Sequence, residues 1–122
     1  MPAKVVDASV LAAIAFAEPH ANEAVVLLAG NFLFAPELLP FELCSVAWKK
    51  TRRYPEQRSV FEKALDLALQ IDVTLVPVPI DEILSLALAT SLAVYDAAYL
   101  YVARRLRCPL VTFDARLAGQ AV

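Results

Sequence analysis

At 122 residues the chain has room for one domain with a sizeable core, and not for two. Apolar residues make up 60% of it and the mean hydropathy is +0.59, so either an unusually large share is buried or a partner covers apolar surface, which points to an oligomer or a tightly held partner. The net charge of −2 does not announce a nucleic-acid binder, and two cysteines, Cys44 and Cys108, are too few for a zinc cage.

In chain order, Lys4-Val5-Val6-Asp7 reads as a short buried strand that ends in a carboxylate. Residues 8–17 read as a helix stopped by Glu18-Pro19, and residues 21–29 as a second helix closed by Gly30-Asn31. Phe32-Leu33-Phe34-Ala35 is a second strand. Either Pro36 or Pro40 then opens a helix that carries Glu42 and runs through Trp48 to about Arg53. Pro55 begins another helix, with Val60, Phe61, Ala64, Leu65 and Ala68 at helical spacing. Residues 73–78 alternate like a strand, and Ile80, Ile83, Leu84, Ala87 and Leu88 mark one face of the next helix. Asp96 starts a further helix, Pro109-Leu110-Val111-Thr112 is a last strand, and Asp114 stands at the start of a short helix.

Short apolar strands alternating with helices predict an α/β fold of three layers, α/β/α, around a short parallel sheet. Functional residues in such sheets lie beyond the carboxyl ends of the strands, where Asp7 and Asp114 fall. With only Gly30 and Gly119 present, there is no phosphate-cradling loop and no dinucleotide fingerprint. The longest apolar stretch, residues 83–103, is interrupted by Asp96 and by Tyr95, Tyr99 and Tyr101. That speaks against a membrane span, in which a central Asp is expensive. Met1-Pro2-Ala3-Lys4-Val5 lacks the apolar run of a signal peptide, so the expected location is cytoplasmic, with both cysteines as buried thiols rather than a disulfide.

Four acids carry the chemistry: Asp7, Glu42, Asp96 and Asp114. A carboxylate in apolar surroundings needs pairing, hydrogen bonds or a cation, and four together repel unless some protonate or a cation neutralises them. Singly, each Asp has an ordinary explanation as a helix N-cap, favoured roughly two to one over catalysis. Glu42 has a weaker one, the positive end of its helix. As a set they suit a magnesium site, with oxygen ligands and retained waters, of the kind that hydrolyses phosphodiesters. His20 is the only histidine, which excludes a metal-free mechanism built on paired histidines, and it reads as a loop residue. Two basic segments, Lys49-Lys50-Thr51-Arg52-Arg53 with Arg58, and Arg104, Arg105 and Arg107, either steer phosphates or are solvated helix ends.

Four segments together resemble the PIN-domain family, most closely the VapC-type toxins of toxin–antitoxin pairs. They are Val5-Val6-Asp7-Ala8-Ser9, the helix with Glu42, the run from Ser91 to Tyr99 containing Tyr95-Asp96-Ala97-Ala98-Tyr99, and the run from Leu110 to Ala118 containing Thr112-Phe113-Asp114-Ala115-Arg116-Leu117. The resemblance spans nearly the whole chain, expected as a single domain over residues 1–122. It implies Asp7 and Asp96 as the main metal ligands, Glu42 on a metal or its water, Asp114 completing the cluster, and Ser9 or Thr112 orienting the carboxylates. As strand and cap hydroxyls those two have an equally good ordinary reading.

The implied activity is Mg²⁺-dependent endoribonuclease cleavage, with Mn²⁺ also suited to an all-oxygen site. RNA contacts are assigned to Lys49, Arg52, Arg53 and Arg116, and the implied assembly is a homodimer held by a VapB-like antitoxin. Family members continue past the last helix into another edge strand, which is absent or lies outside this sequence. The alternatives are an RNA-processing nuclease with no toxin role, and a non-catalytic RNA- or protein-binding domain whose acids only cap helices. A phospho-acceptor receiver domain fits less well, because Val78-Pro79-Ile80 offers no acceptor Asp.

Overall fold

The computed structural model describes residues 2–121; Met1 and Val122, the ends of the expected domain, lie outside them. Four strands, β1 (Ala3–Val6), β2 (Phe32–Pro36), β3 (Thr74–Val76) and β4 (Leu110–Val111), form one parallel sheet in the order β3-β2-β1-β4. Among the described residues, seven α-helices connect and cover them: α1 (Ala8–Ala15), α2 (Ala21–Leu28), α3 (Leu39–Arg53), α4 (Arg58–Gln70), α5 (Ile80–Thr90), α6 (Val94–Leu106) and α7 (Ala115–Gln120). This is the α/β architecture expected from the alternation of strands and helices.

Successive residues of a strand point to opposite faces, and Val5 and Val6 are both 0% exposed. Both faces of the sheet are therefore covered at β1, which explains its continuous apolar run, whereas Thr74 and Leu75 of the edge strand β3 stay exposed. Helix α6 packs on β1, β2 and β4, while α1 packs against α2, α3 and α4. Alanines at the contacts (Ala12 and Ala13 on α1, Ala97, Ala98 and Ala103 on α6) are buried and let the layers approach closely. Leu11, Leu43, Ile83, Leu100 and Leu117 fill the spaces between them.

Several boundaries differ from the sequence reading, each for a local reason. Pro36 ends β2, and Pro40 stands in the first turn of α3, where a missing N–H goes unfelt. Pro55 opens a separate 3₁₀ turn, Pro55–Gln57, before α4. Only Thr74–Val76 pairs in β3, an edge strand followed by Pro77 and Pro79, neither of which can donate to a ladder. Helix α6 begins at Val94 with Ala93 as its N-cap, so Asp96 is inside its first turn and does not start it. Gly30, at φ 75, makes the left-handed turn into β2 that glycine adopts without steric cost. Cys44 is exposed rather than buried, Cys108 is half-buried, and both are free thiols. The stretch 83–103 is divided between α5 and α6, which meet at 103°, and among the described residues no single helix is long and apolar enough to cross a membrane.

The parallel register brings the carboxyl ends of β1 and β4 side by side, with Val6 beside Val111. The Asp7 N–H continues that pairing by donating to the Val111 carbonyl at 3.0 Å. Asp7, Thr112 and Asp114 thus leave the sheet at one edge.

Candidate metal centre

Asp7 is the one buried charged residue among those described, at 5% exposure. Its backbone occupies the N-cap position of α1, but its carboxylate caps nothing. Instead Ser9 Oγ donates to Asp7 Oδ2 at 2.7 Å and Thr112 Oγ1 donates to the same oxygen at 2.8 Å. Each hydroxyl is itself fixed from behind. Ser9 Oγ accepts the Phe113 N–H at 3.1 Å, and Thr112 Oγ1 accepts the Asp114 N–H at 3.0 Å. The hydroxyl protons are thereby committed to the carboxylate, which fixes its plane and leaves Oδ1 for a cation or a cation-bound water.

Asp96 comes from the first turn of α6 and Glu42 from the first turn of α3. Both positions feel the positive end of a helix dipole. Asp114 differs, since it is a true N-cap: its Oδ1 accepts the N–H groups of Arg116 at 2.9 Å and Leu117 at 3.2 Å. The ordinary capping explanation thus holds for Asp114 and fails for Asp7 and Asp96.

All four acids line one cavity of about 620 Å³, together with Ser9, Lys49 and Tyr95. Their electrostatics agree with that proximity. Burial raises the pKa of Glu42 to about 7, the charges of Asp7 and Asp96 push it the same way, and Tyr99 and Lys49 oppose the shift. The Asp96 carboxyl is also raised, first by burial and then by Asp114 and Asp7, with Arg116 opposing. Tyr99 lies one helical turn beyond Asp96 and is fully buried. Its phenol is held strongly in the protonated form by burial and by the Glu42 charge. The hydroxyl and Glu42 influence each other, yet no hydrogen bond of ordinary geometry joins them: Tyr99 Oη and Glu42 Oε1 are both buried without a partner. The sequence reading gave Tyr99 no role in the site. The available signal was its position three residues after Asp96, which puts the two on one side of the helix.

The donor set fits a hard divalent cation. It is all oxygen, mutually repelling, and includes a buried carboxylate oxygen with nothing to bind. Among the described residues, no three His, Cys, Asp or Glu side chains converge closely enough to cage an ion by themselves. Magnesium does not require that, because it keeps several waters and takes one or two carboxylates directly.

The basic residues divide. Lys49 lines the cavity, and the Arg116 Nη2 donates to the Ser91 carbonyl at 3.3 Å while its charge reaches Asp96. Arg52 and Arg53 lie over the rings of Trp48 and Tyr54 and are not part of the cavity wall. Lys50 pairs with Glu18 at 3.1 Å and Arg58 with Glu62 at 3.2 Å. Arg104, Arg105 and Arg107, at the opposite end of α6 from Asp96, line a separate cleft of about 750 Å³ together with Asp81 and Glu82. None of the four acids reaches that cleft.

Residues 4–121 match the sequence model of the PIN domain. The chain is similar to Ribonuclease VapC3 of Pyrobaculum aerophilum, with 29% identity over 119 residues that cover 93% of this chain and 91% of that protein. Among solved structures it is similar to the crystal structure of PAE2754 from Pyrobaculum aerophilum, with a TM-score of 0.79 and 28% sequence identity. That match covers 98% of this chain and 86% of the other.

Proposed function

We propose that this chain, which belongs to the PIN-domain family, is a magnesium-dependent endoribonuclease and the toxin of a VapBC-type toxin–antitoxin pair. The observation that carries the reading is the buried Asp7, held on one oxygen by Ser9 and Thr112 at the wall of a cavity shared with Glu42, Asp96 and Asp114. A helix cap would be solvated and bonded to N–H groups, as Asp114 is; Asp7 is neither. The similarity to Ribonuclease VapC3 supports RNA as the substrate and an antitoxin as the partner.

In this reading Asp7 and Asp96 hold Mg²⁺, or Mn²⁺ in its place, while Glu42 and Asp114 act on the ion directly or through its waters. A bound divalent ion supplies an activated water and charge neutralisation at the phosphate. The chain's own residues do the rest. Ser9 and Thr112 fix the Asp7 carboxylate, so that no reorganisation is needed during reaction. Lys49 and Arg116 offset the acidic charge that would repel a phosphodiester. In the metal-free protein burial raises the Glu42 pKa to about 7, so it holds a proton that an ion bound there would displace.

The partner part rests on the apolar residues that the fold leaves uncovered. Phe41, Trp48, Val60 and Leu67 on α3 and α4 are more than half exposed, as are Ile80, Leu84 and Leu88 on α5. Patches of this kind suit an antitoxin and a second copy of the chain. The deciding experiment is cleavage of RNA by antitoxin-free protein with Mg²⁺, compared with EDTA and with Asp96→Asn. Loss of cleavage in both controls supports the metal nuclease; equal cleavage in wild type and mutant, or none in either, refutes it. Growth arrest on expression without an antitoxin separates a toxin from a processing nuclease.

A further inference from the structure

A second cavity, of about 360 Å³, opens beside the acidic one and shares two of its wall residues, Ser9 and Val46. Its remaining wall is apolar at Ala12, Ala13 and Phe113 and polar at Glu18 and His20. The His20 and Phe113 rings lie 5.1 Å apart, inclined at 38°. His20 is exposed, whereas Phe113 is half-buried and anchored by its N–H to Ser9 Oγ. The same serine hydroxyl orients Asp7. One residue therefore ties an aromatic platform to the acidic centre, with the two cavities on either side of it.

We propose that this second cavity is a nucleobase subsite: an unpaired base of the RNA strand stacks on the Phe113–His20 platform while the adjoining phosphodiester lies over the acids. The inference rests on the nuclease reading and adds to it the surface that takes the neighbouring base. Aromatic rings bind unpaired bases through their π faces, which bases in a duplex do not offer. The polar groups are placed for a base edge. His20 Nδ1 is taken by Glu23 at 3.2 Å, which leaves Nε2 available. The Glu18 charge is balanced by Lys50 at 3.1 Å, so the wall does not repel the strand. Lys50 in turn lies 5.6 Å from the centre of the Phe16 ring, which helps to hold that ion pair in place.

The test uses a single-stranded RNA that the protein cleaves at one position, and versions in which one nucleotide beside the cut is abasic. At one such position, removal of the base raises KM about tenfold in the wild type. Phe113→Leu, which keeps the apolar volume but removes the π face, raises KM on the intact RNA by a similar factor. The two losses do not add when combined, because they remove the same contact. His20→Ala, at an exposed position with little bearing on folding, gives a smaller loss at the same nucleotide, while kcat changes little in either variant. A wild type that cleaves RNA with no abasic position coupled to Phe113 or His20 overturns the subsite and leaves the nuclease standing. A wild type that cleaves no RNA overturns both.

Discussion

Thr112 Oγ1 donates to Asp7 Oδ2 at 2.8 Å across a sequence separation of 105 residues, while accepting the Asp114 N–H at 3.0 Å. One hydroxyl thus links the carboxyl ends of β1 and β4 and orients two of the four acids. Its geometry depends on the parallel register that sets Val6 beside Val111. Replacement by valine keeps the shape and removes both bonds. Thr112→Val is expected to destabilise the fold by about 1–2 kcal/mol, since a buried carboxylate loses a charge-assisted bond. Cleavage should fall by about 10- to 100-fold through misorientation of Asp7. Denaturant unfolding and kcat measured side by side check the pair. Unchanged kcat would show that Asp7 needs no such support.

Asp114 both caps α7 and lines the acidic cavity, and two substitutions separate these roles. Asparagine is as good an N-cap as aspartate, so Asp114→Asn keeps the bonds from Arg116 and Leu117 and removes the charge. Asp114→Ala removes both, at about 1 kcal/mol of stability. If the charge serves the metal, both variants lose activity and only the alanine variant melts early. Activity that follows the melting temperature would reduce Asp114 to a cap.

How much of this was legible in the chain differs from element to element. The apolar runs around Val5-Val6 and Leu110-Val111 predicted strands, and the structure has both; Val5 and Val6 are buried on both faces, whereas in the edge strand β4 Val111 is buried and Leu110 only half-buried. The four acids were visible as a set because each ends a strand or opens a helix. Their convergence was not, since it depends on strand order and register, which no local pattern encodes. Capping is the clearest case. Asp7, Asp96 and Asp114 look alike in sequence, yet only Asp114 caps, because hydroxyls 2 and 105 residues away claim Asp7 and Ala93 starts the helix before Asp96. Tyr99 was hidden for a similar reason: its hydroxyl matters only because α3 brings Glu42 against it. The Phe113–His20 stack joins residues 93 positions apart through tertiary packing alone.

The Glu42 pKa, raised from 4.5 to about 7, makes stability depend on pH in a definite direction. Between those values the folded chain holds a proton that the unfolded chain has released. The stability this proton provides is fully present below about pH 4.5 and is lost as pH rises through 7. With solvent screening at a partly exposed group, the loss is about 2 kcal/mol at most. Glu42→Gln cannot ionise and should flatten that slope, leaving the metal-free protein more stable than wild type at pH 8. Tyr99→Phe removes a group that lowers the Glu42 pKa, so the slope should move to higher pH. Melting temperatures in EDTA from pH 5 to 8 test both, and a wild type as stable at pH 8 as at pH 5 would contradict the shift.

A cation that binds the acids reverses this dependence. Metal-free, the cavity brings together carboxylates that raise one another's proton affinity, and Glu42 carries a proton near neutrality. Binding must displace that proton, so affinity for Mg²⁺ should climb as pH passes through 7. A ligand at a hundred times its Kd adds about 2.7 kcal/mol to the folded state, or roughly 10 °C in melting temperature for a chain of this size. The expected pattern is therefore a Mg²⁺-induced rise that is larger at pH 8 than at pH 6 and absent in Asp96→Asn. In Glu42→Gln any remaining rise should depend less on pH over that range, because Glu42 no longer has a proton to give up. A rise that persists in Asp96→Asn would place the bound ion elsewhere on the protein, away from the carboxylates that Ser9 and Thr112 hold in position.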